Sequence, residues 1–388
     1  MIAYNPTGLD NRIVRKQAEE ALDADCIDQG QSARIKEAYP VLFYSPNIYI
    51  RIGLFLLTLV IASFSLGLLA LLFVSNSDSF EPILIIAGLG SFGVLEYMLR
   101  VKRHFRSGVD DALAWMGAAM LYFGLYFTFD HMPALTQCLL AFLIAGCCSL
   151  RYADGIMTLI SYAALTGILF NLALQLGTTG RVILPFLVMA LAVVLYLAAV
   201  KIHDKERYRH YRSCLTVVKA ASLVSFYLAG NYFVIHQLTL QLFSLPADAK
   251  ISIPFDWLFW VLTLLTPIAY IYRGLQKKDS IFLWSGLALV AAAVFTIRHY
   301  YSLLPIELAM TIAGVLLIGL AYTCIRYLKT PRHGFTYKEG NGKHFMESLH
   351  IESVLIAEIA ASPDGAPGAN GVKFGGGSGG GGGAGGEF

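Results

Sequence analysis

The chain has 388 residues, 56% of them apolar and only 14% charged, with a mean hydropathy of +0.61 and a formal net charge of +3. Soluble domains run at roughly 45–50% apolar and about 25% charged. So few charges cannot coat that much apolar surface, which excludes the soluble classes and predicts an all-α integral membrane protein. The six cysteines (Cys26, Cys138, Cys147, Cys148, Cys214 and Cys324) form no CxxC pair. That spacing argues against a disulfide framework or a zinc site and for reduced, polarizable packing residues.

Residues 1–49 form a cytoplasmic N-terminal region whose stretch 11–39 reads as a helical hairpin. Ile13, Val14, Ala18, Ala21 and Leu22 recur at helical spacing, residues 25–30 break the pattern, and residues 31–39 resume it around Ile35. Pro40 and Pro46 end it. Two short amphipathic helices are too small for a core of their own, so docking is expected on the cytoplasmic loops, on the membrane surface or on a partner.

A membrane-crossing helix needs about 20 mostly apolar residues. Within a transmembrane domain over 50–328, ten runs qualify: 50–74, 82–99, 111–129, 133–150, 155–176, 182–200, 213–236, 255–272, 280–297 and 306–328. The first run starts only at residue 50, so no cleaved signal peptide is expected. With the first segment placed in the cytoplasm, 26 of the 29 Lys and Arg residues fall inside, and only Arg181, Lys250 and Arg298 fall outside. Both termini are then cytoplasmic, and a bacterial inner membrane is the expected location. The stretch 213–243 is too long for one upright helix and is thinned by Gly230, Asn231, His236, Gln237 and Gln241. It is expected to leave the membrane near His236 and continue along the interface. The outside loops are too short to fold into domains.

After the tenth run, residues 329–363 contain an amphipathic helix over 344–361, with Phe345, Leu349 and Ile356 against Glu347, Glu352 and Glu358. It reads either as a surface helix packed on the bundle or as a partner-docking helix. Residues 364–388 are a disordered glycine-rich tail: 13 of the 36 glycines lie in the last 24 residues. Glycine loses the most backbone entropy on ordering and has nothing to bury. The tail is either a solvated flexible segment or a hook, with Phe374, Glu387 and Phe388 presenting rings and a carboxylate to a groove.

The hairpin with Ile27 in its turn and Gln31 opening the second helix, followed at once by many spans, resembles the uncharacterised bacterial polytopic families labelled as domains of unknown function. The resemblance covers the general plan of residues 11–330 and implies topology, with no activity attached. The segment 374–388 is similar to the glycine-rich, aromatic-ended tails of bacterial membrane-anchored TPM-domain proteins, although no TPM domain accompanies it.

Ionisable groups inside a membrane are costly and point to function or pairing. Glu96 near the end of the second run and Lys219 early in the seventh agree in depth within about 6 Å at about 1.5 Å per residue. They are expected to pair or to line one polar crevice; the alternative is that both snorkel to the cytoplasmic interface. The outer end collects Asp130, His131, His236, Asp256, Arg298, His299 and Glu307. They come from separate loops without a metal-binding spacing, so no metal and no cofactor is expected. Asn171 and Gln175 form a polar stripe suited to interhelical hydrogen bonds. Pro185 and Pro267 fall inside spans and predict kinks.

Residues 88–93 fit GxGxxG but lie within an apolar run, where close helix packing explains them better than a nucleotide site. Residues 376–380 fit GxSxG, which a disordered tail cannot turn into a nucleophile elbow. The basic loops 100–106 and 201–212 suit anionic lipid, not nucleic acid. Three functions stay open. The first is a non-enzymatic scaffold or assembly partner, using 344–361 and the tail as contacts beside the lipid bilayer. The second is a secondary transporter with a crevice at Glu96 and Lys219. The third is a membrane-embedded enzyme acting on lipid.

Overall fold

The computed structural model describes residues 2–23, 26–41, 43–73, 80–129, 131–243, 246, 254–277 and 279–300, with isolated positions between 311 and 326. Among these the protein is all-helical, without strands. The elements are α1 (Pro6–Asp23), α2 (Gln29–Ala38), α3 (Ile48–Phe73), α4 (Glu81–Arg100), α5 (Val109–Thr128), α6 (Ala134–Tyr152), α7 (Gly155–Gln175), α8 (Gly177–His203), a 3-10 helix (Glu206–Tyr211), α9 (Arg212–Gly230), α10 (Tyr232–Leu242), α11 (Asp256–Lys277) and α12 (Ser280–Tyr300).

Eight helices among the described residues are long and apolar enough to cross a membrane: α3, α4, α6, α7, α8, α9 with its preceding 3-10 turn, α11 and α12. The helix α5 matches them in length but is not among the eight; it carries Asp110 and Asp111 in its first turn and Trp115, Tyr122 and Tyr126 beyond. The expected tenth span, 306–328, lies outside the described residues except at isolated positions.

The bundle is built from antiparallel neighbours, with the most extensive packing in the pairs α4/α5, α6/α7, α8/α9 and α11/α12. Small residues allow the close approach. A Cβ at Gly88 of α4 would stand 2.9 Å from the backbone nitrogen of Leu121 on α5, so only glycine fits that crossing. Gly90 and Gly93 have open space at the same test, so of the GxGxxG run only Gly88 is a packing residue. Pro185 and Pro267 sit inside α8 and α11.

The seventh run departs from expectation. It does not continue to His236: α9 ends at Gly230, and Asn231 (φ −81°, ψ 127°) leaves helical geometry to cap a separate α10. The side-chain oxygen of Asn231 accepts from the Val234 amide at 3.2 Å, and the Tyr232 amide donates to Thr263 Oγ1 on α11 at 2.9 Å. The break is stable because the freed backbone donors find partners inside the bundle.

The hairpin is also present, starting earlier than the periodicity suggests. Asp28 and Gln31 form a reciprocal capping box at the start of α2. Arg15 Nε donates to the Tyr39 carbonyl at 2.8 Å and Asn11 Nδ2 to the Pro40 carbonyl at 2.9 Å, clamping α1 to the end of α2.

Candidate functional site

Antiparallel succession brings the C-terminal ends of α4, α6, α8 and α11 to the same end of the bundle as the N-terminal ends of α3, α5, α7 and α9. Arg51, Arg100, Arg151, Lys201 and Arg212 gather there, and it is called the basic end below. The helix α1 lies across part of it.

The link between α4 and α5 folds into a tight turn. Tyr44 and His104 form an isolated bridge, Arg103 and Arg106 adopt positive φ (55° and 48°), and Gly108 (φ 92°) packs against the backbone of Arg51. The turn exists to surround one carboxylate. Asp110, 2% exposed, accepts from the Arg106 amide (2.6 Å), the Ser107 amide (2.8 Å), the Ser107 hydroxyl (3.1 Å) and the Tyr4 hydroxyl (3.2 Å). Four donors on one carboxylate satisfy a charge that burial would otherwise make expensive. Burial, with Asp110 and Asp111 nearby, pushes the Tyr4 hydroxyl well above its ordinary pKa, so it stays a donor.

Tyr4 and Leu9 are buried with Leu95, Leu99, Leu113 and Ala114 in one apolar cluster. The Ala3 amide donates to the Arg151 carbonyl at 2.8 Å, and Asp10 accepts from Arg209 Nη2 at 2.5 Å. The hairpin therefore docks on the protein's own bundle end.

A second network lies beside it. Arg151 forks onto Glu96, with Nε to Oε1 and Nη2 to Oε2 both at 2.9 Å. Arg100 Nε adds a bond to Oε2 at 3.1 Å and the Tyr152 hydroxyl one to Oε1 at 3.4 Å. Asp111 pairs with Arg51 at 2.5 Å. Asp154 caps α7 by accepting from the Met157 amide at 2.7 Å and also takes Trp115 Nε1 at 3.3 Å.

Between α1 and this surface lies a cavity of about 480 Å³, bounded by Leu95, Ala114, Asp110, Asp154 and the side chains of Arg12 and Arg106. The Arg12 guanidinium stands 4.5 Å from the Phe105 ring centre and that of Arg106 5.9 Å from it. Among the described residues no carboxylate lies within 4 Å of either. Burial and the neighbouring Arg106 and Arg51 cations hold the Arg12 guanidinium below its ordinary pKa.

A different polar site lies at the opposite end, around the α9–α10 break. Asn231 (2% exposed) donates through Nδ2 to the Tyr227 hydroxyl and to Thr296 Oγ1, both at 3.0 Å. Around it, Tyr232 stacks on Trp260 (4.7 Å) and meets Tyr300 edge-on (5.0 Å).

The sequence-predicted residues separate as follows. Glu96 does not pair with Lys219; Arg151 and Arg100 occupy its carboxylate. Lys219 is a charge neighbour of His203 at the end of α8. The depth match counted residues along each helix but could not see that α6 ends beside α4. In the outer set, His236 and His299 come together through α10 and α12, each within 6 Å of the Tyr300 ring. Arg298 occupies the last turn of α12, and His131 sits apart in the α5–α6 turn with φ 65°. Asp130 and Glu307 lie outside the described residues, as do the 344–361 helix and Phe374, Glu387 and Phe388 of the tail. No group of three His, Cys, Asp or Glu among the described residues is placed to hold a metal ion. Asn171 bonds chiefly within its own helix, to the Gly167 carbonyl at 2.8 Å, with a longer contact to Cys138 on α6.

Sequence reasoning missed Asp110, Asp111 and Asp154. Each stands in the first turn or at the cap of a helix, a signal readable from an acidic residue before an apolar run. No family model, no curated protein sequence and no solved structure matches this chain.

Proposed function

We propose that the protein is a ten-span bacterial inner-membrane protein with the basic end and both termini in the cytoplasm, acting as a non-enzymatic scaffold or assembly partner. The observation that supports this reading is how the carboxylates at the basic end are used. Asp110 holds a turn and a docked tyrosine, Glu96 ties α4 to α6, Asp111 ties α5 to α3, and Asp154 caps α7. Groups committed to such bonds build a fixed face and are poorly placed for proton transfer, which needs a donor or acceptor free to exchange. The hairpin adds to that face the exposed side chains of Lys16, Glu19 and Glu20. The helix at 344–361 and the tail ending in Glu387-Phe388 are the second contact in this proposal.

Two measurements test it. The exposed Cys26 thiol in the α1–α2 turn should react with a membrane-impermeant maleimide in inverted vesicles and stay unlabelled in intact spheroplasts. Proteins retained with the full chain after mild detergent extraction should be lost on truncation at residue 363 or on Tyr4→Ala with Leu9→Ala. An identical set in all three preparations sinks the scaffold reading.

One observation favours transport as a second reading. A span interrupted by the unwound Asn231, with Thr263 and Thr296 beside it, is the kind of discontinuous helix transporters use near their substrates. The crevice would then lie there and not at Glu96. Solute flux in proteoliposomes that falls with Asn231→Ala and survives Glu96→Gln would favour it.

A further inference from the structure

We propose that the cavity beneath α1 binds a phosphate group, held between the guanidinium groups of Arg12 and Arg106. The argument begins with charge. Arg12 and Arg106 line one cavity and stand 4.5 and 5.9 Å from the same Phe105 ring, and Arg12 feels the positive charge of both Arg106 and Arg51; of the three only Arg51 has a carboxylate, Asp111. Two cations kept together at the wall of a half-enclosed cavity are stabilised by an anion between them, because the interaction is less screened there than in open water. The protein's own carboxylates do not supply it. Of the four carboxylates that line the cavity, Asp110 is saturated by four donors, Asp111 is taken by Arg51, Asp154 is spent on a helix cap and Trp115, and Glu20 pairs with Lys16 at 3.5 Å.

Geometry selects the class of anion. Each guanidinium offers parallel N–H groups in one plane, which match two oxygens of an oxyanion. A carboxylate has only two oxygens and fits one fork. A tetrahedral phosphate has oxygens in several planes and up to two charges, so it can serve both arginines at once. Phe105, with the Arg12 guanidinium 4.5 Å from its ring centre, holds that group at the cavity wall. A space of about 480 Å³ holds more than bare phosphate and suits a small phosphorylated molecule or a phospholipid headgroup with its glycerol. Both sources share the phosphate chemistry, and the site sits where either could reach it.

Because Arg12 belongs to α1 and Arg106 to the turn on which α1 rests, the ligand would bridge the roof to the bundle. Binding should therefore raise both the unfolding temperature and the hydrogen-exchange protection of residues 6–23. The full chain is purified in detergent and challenged with inorganic pyrophosphate and with sn-glycerol 3-phosphate. In parallel it is placed in phosphatidylcholine nanodiscs with and without phosphatidylglycerol. At about a hundredfold excess over Kd, a rise of roughly 5 °C is expected. The pair Arg12→Gln with Arg106→Gln should weaken binding about 100-fold or more, and the exposed control Lys102→Gln should leave it unchanged.

Protection by the soluble probes that disappears in the Gln pair assigns the site to a free phosphorylated molecule. Protection seen only with phosphatidylglycerol, and lost in the Gln pair, assigns it to a lipid headgroup. No protection of the unsubstituted chain by either source, or equal protection of it and the Gln pair, overturns the proposal. If the Gln pair fails to fold, Arg12→Lys with Arg106→Lys decides. It keeps both charges and removes both forks, so binding should fall about tenfold, and undiminished binding overturns the proposal.

Discussion

The two ends of the bundle solve the same problem with different chemistry. At the basic end, polar groups are charged and multiply bonded: Asp110 with four donors, Glu96 with three partner side chains, and Asp10 with Arg209. At the opposite end, the helix break is held by neutral groups, with Asn231, Tyr227, Thr263 and Thr296 sharing hydrogen bonds inside a shell of aromatic rings. Charged bonds are stronger but need partners within reach of water or headgroups to be made cheaply. Neutral bonds can be buried deeper, and their loss leaves smaller penalties. The same chain thus concentrates its charges at the turns of the basic end and uses amide and hydroxyl groups where α9 gives way to α10.

That contrast is breakable. Asp110→Ala should cost most, about 3–5 kcal/mol, since four donors lose their acceptor at once; unfolding in mixed micelles would measure it, and a cost below about 1 kcal/mol would show that the turn relaxes freely. Asn231→Ala should cost about 2 kcal/mol by the same measurement, because the hydroxyls and amides it leaves are neutral. If it matches Asp110→Ala, the distinction between the ends fails. A double-mutant cycle between Glu96 and Arg151 should return a coupling of about 1–2 kcal/mol, while Glu96 with Lys219 returns about zero. The smallest effect separates two glycines on one helix: Gly88→Ala should destabilise by about 1 kcal/mol through its clash with α5, and Gly90→Ala should stay within about 0.5 kcal/mol.

Much of the helical plan was legible because lipid-facing helices must be long and continuously apolar, and eight such helices lie where runs were read. The hairpin was legible because Ile13, Ala18 and Leu22 repeat at helical spacing. What escaped was relational. Nothing in the sequence places the end of α6 beside α4, so Arg151 reads only as an orienting charge, and Glu96 reads as pairing with Lys219, sharing a crevice with it or snorkelling. The break at Asn231 was visible as a thinning of the run but was placed five residues late, because the residue that makes it tolerable, Thr263, comes from another helix. Asp110 stands just before the run 111–129, and its role depends on Tyr4, 106 residues away.

The docking of α1 joins residues made at very different times. Asp10 bonds to Arg209, 199 positions further along the chain, and Ala3 to Arg151. During synthesis the seat is complete only when the turn before α9 emerges, and the docking of Tyr4 and Leu9 itself waits for α4 and α5. Until then Tyr4 and Leu9 are exposed to chaperones and proteases, which recognise such unseated apolar residues. The closing of the roof is therefore a timestamp: it reports that the preceding helices have been threaded in the right order.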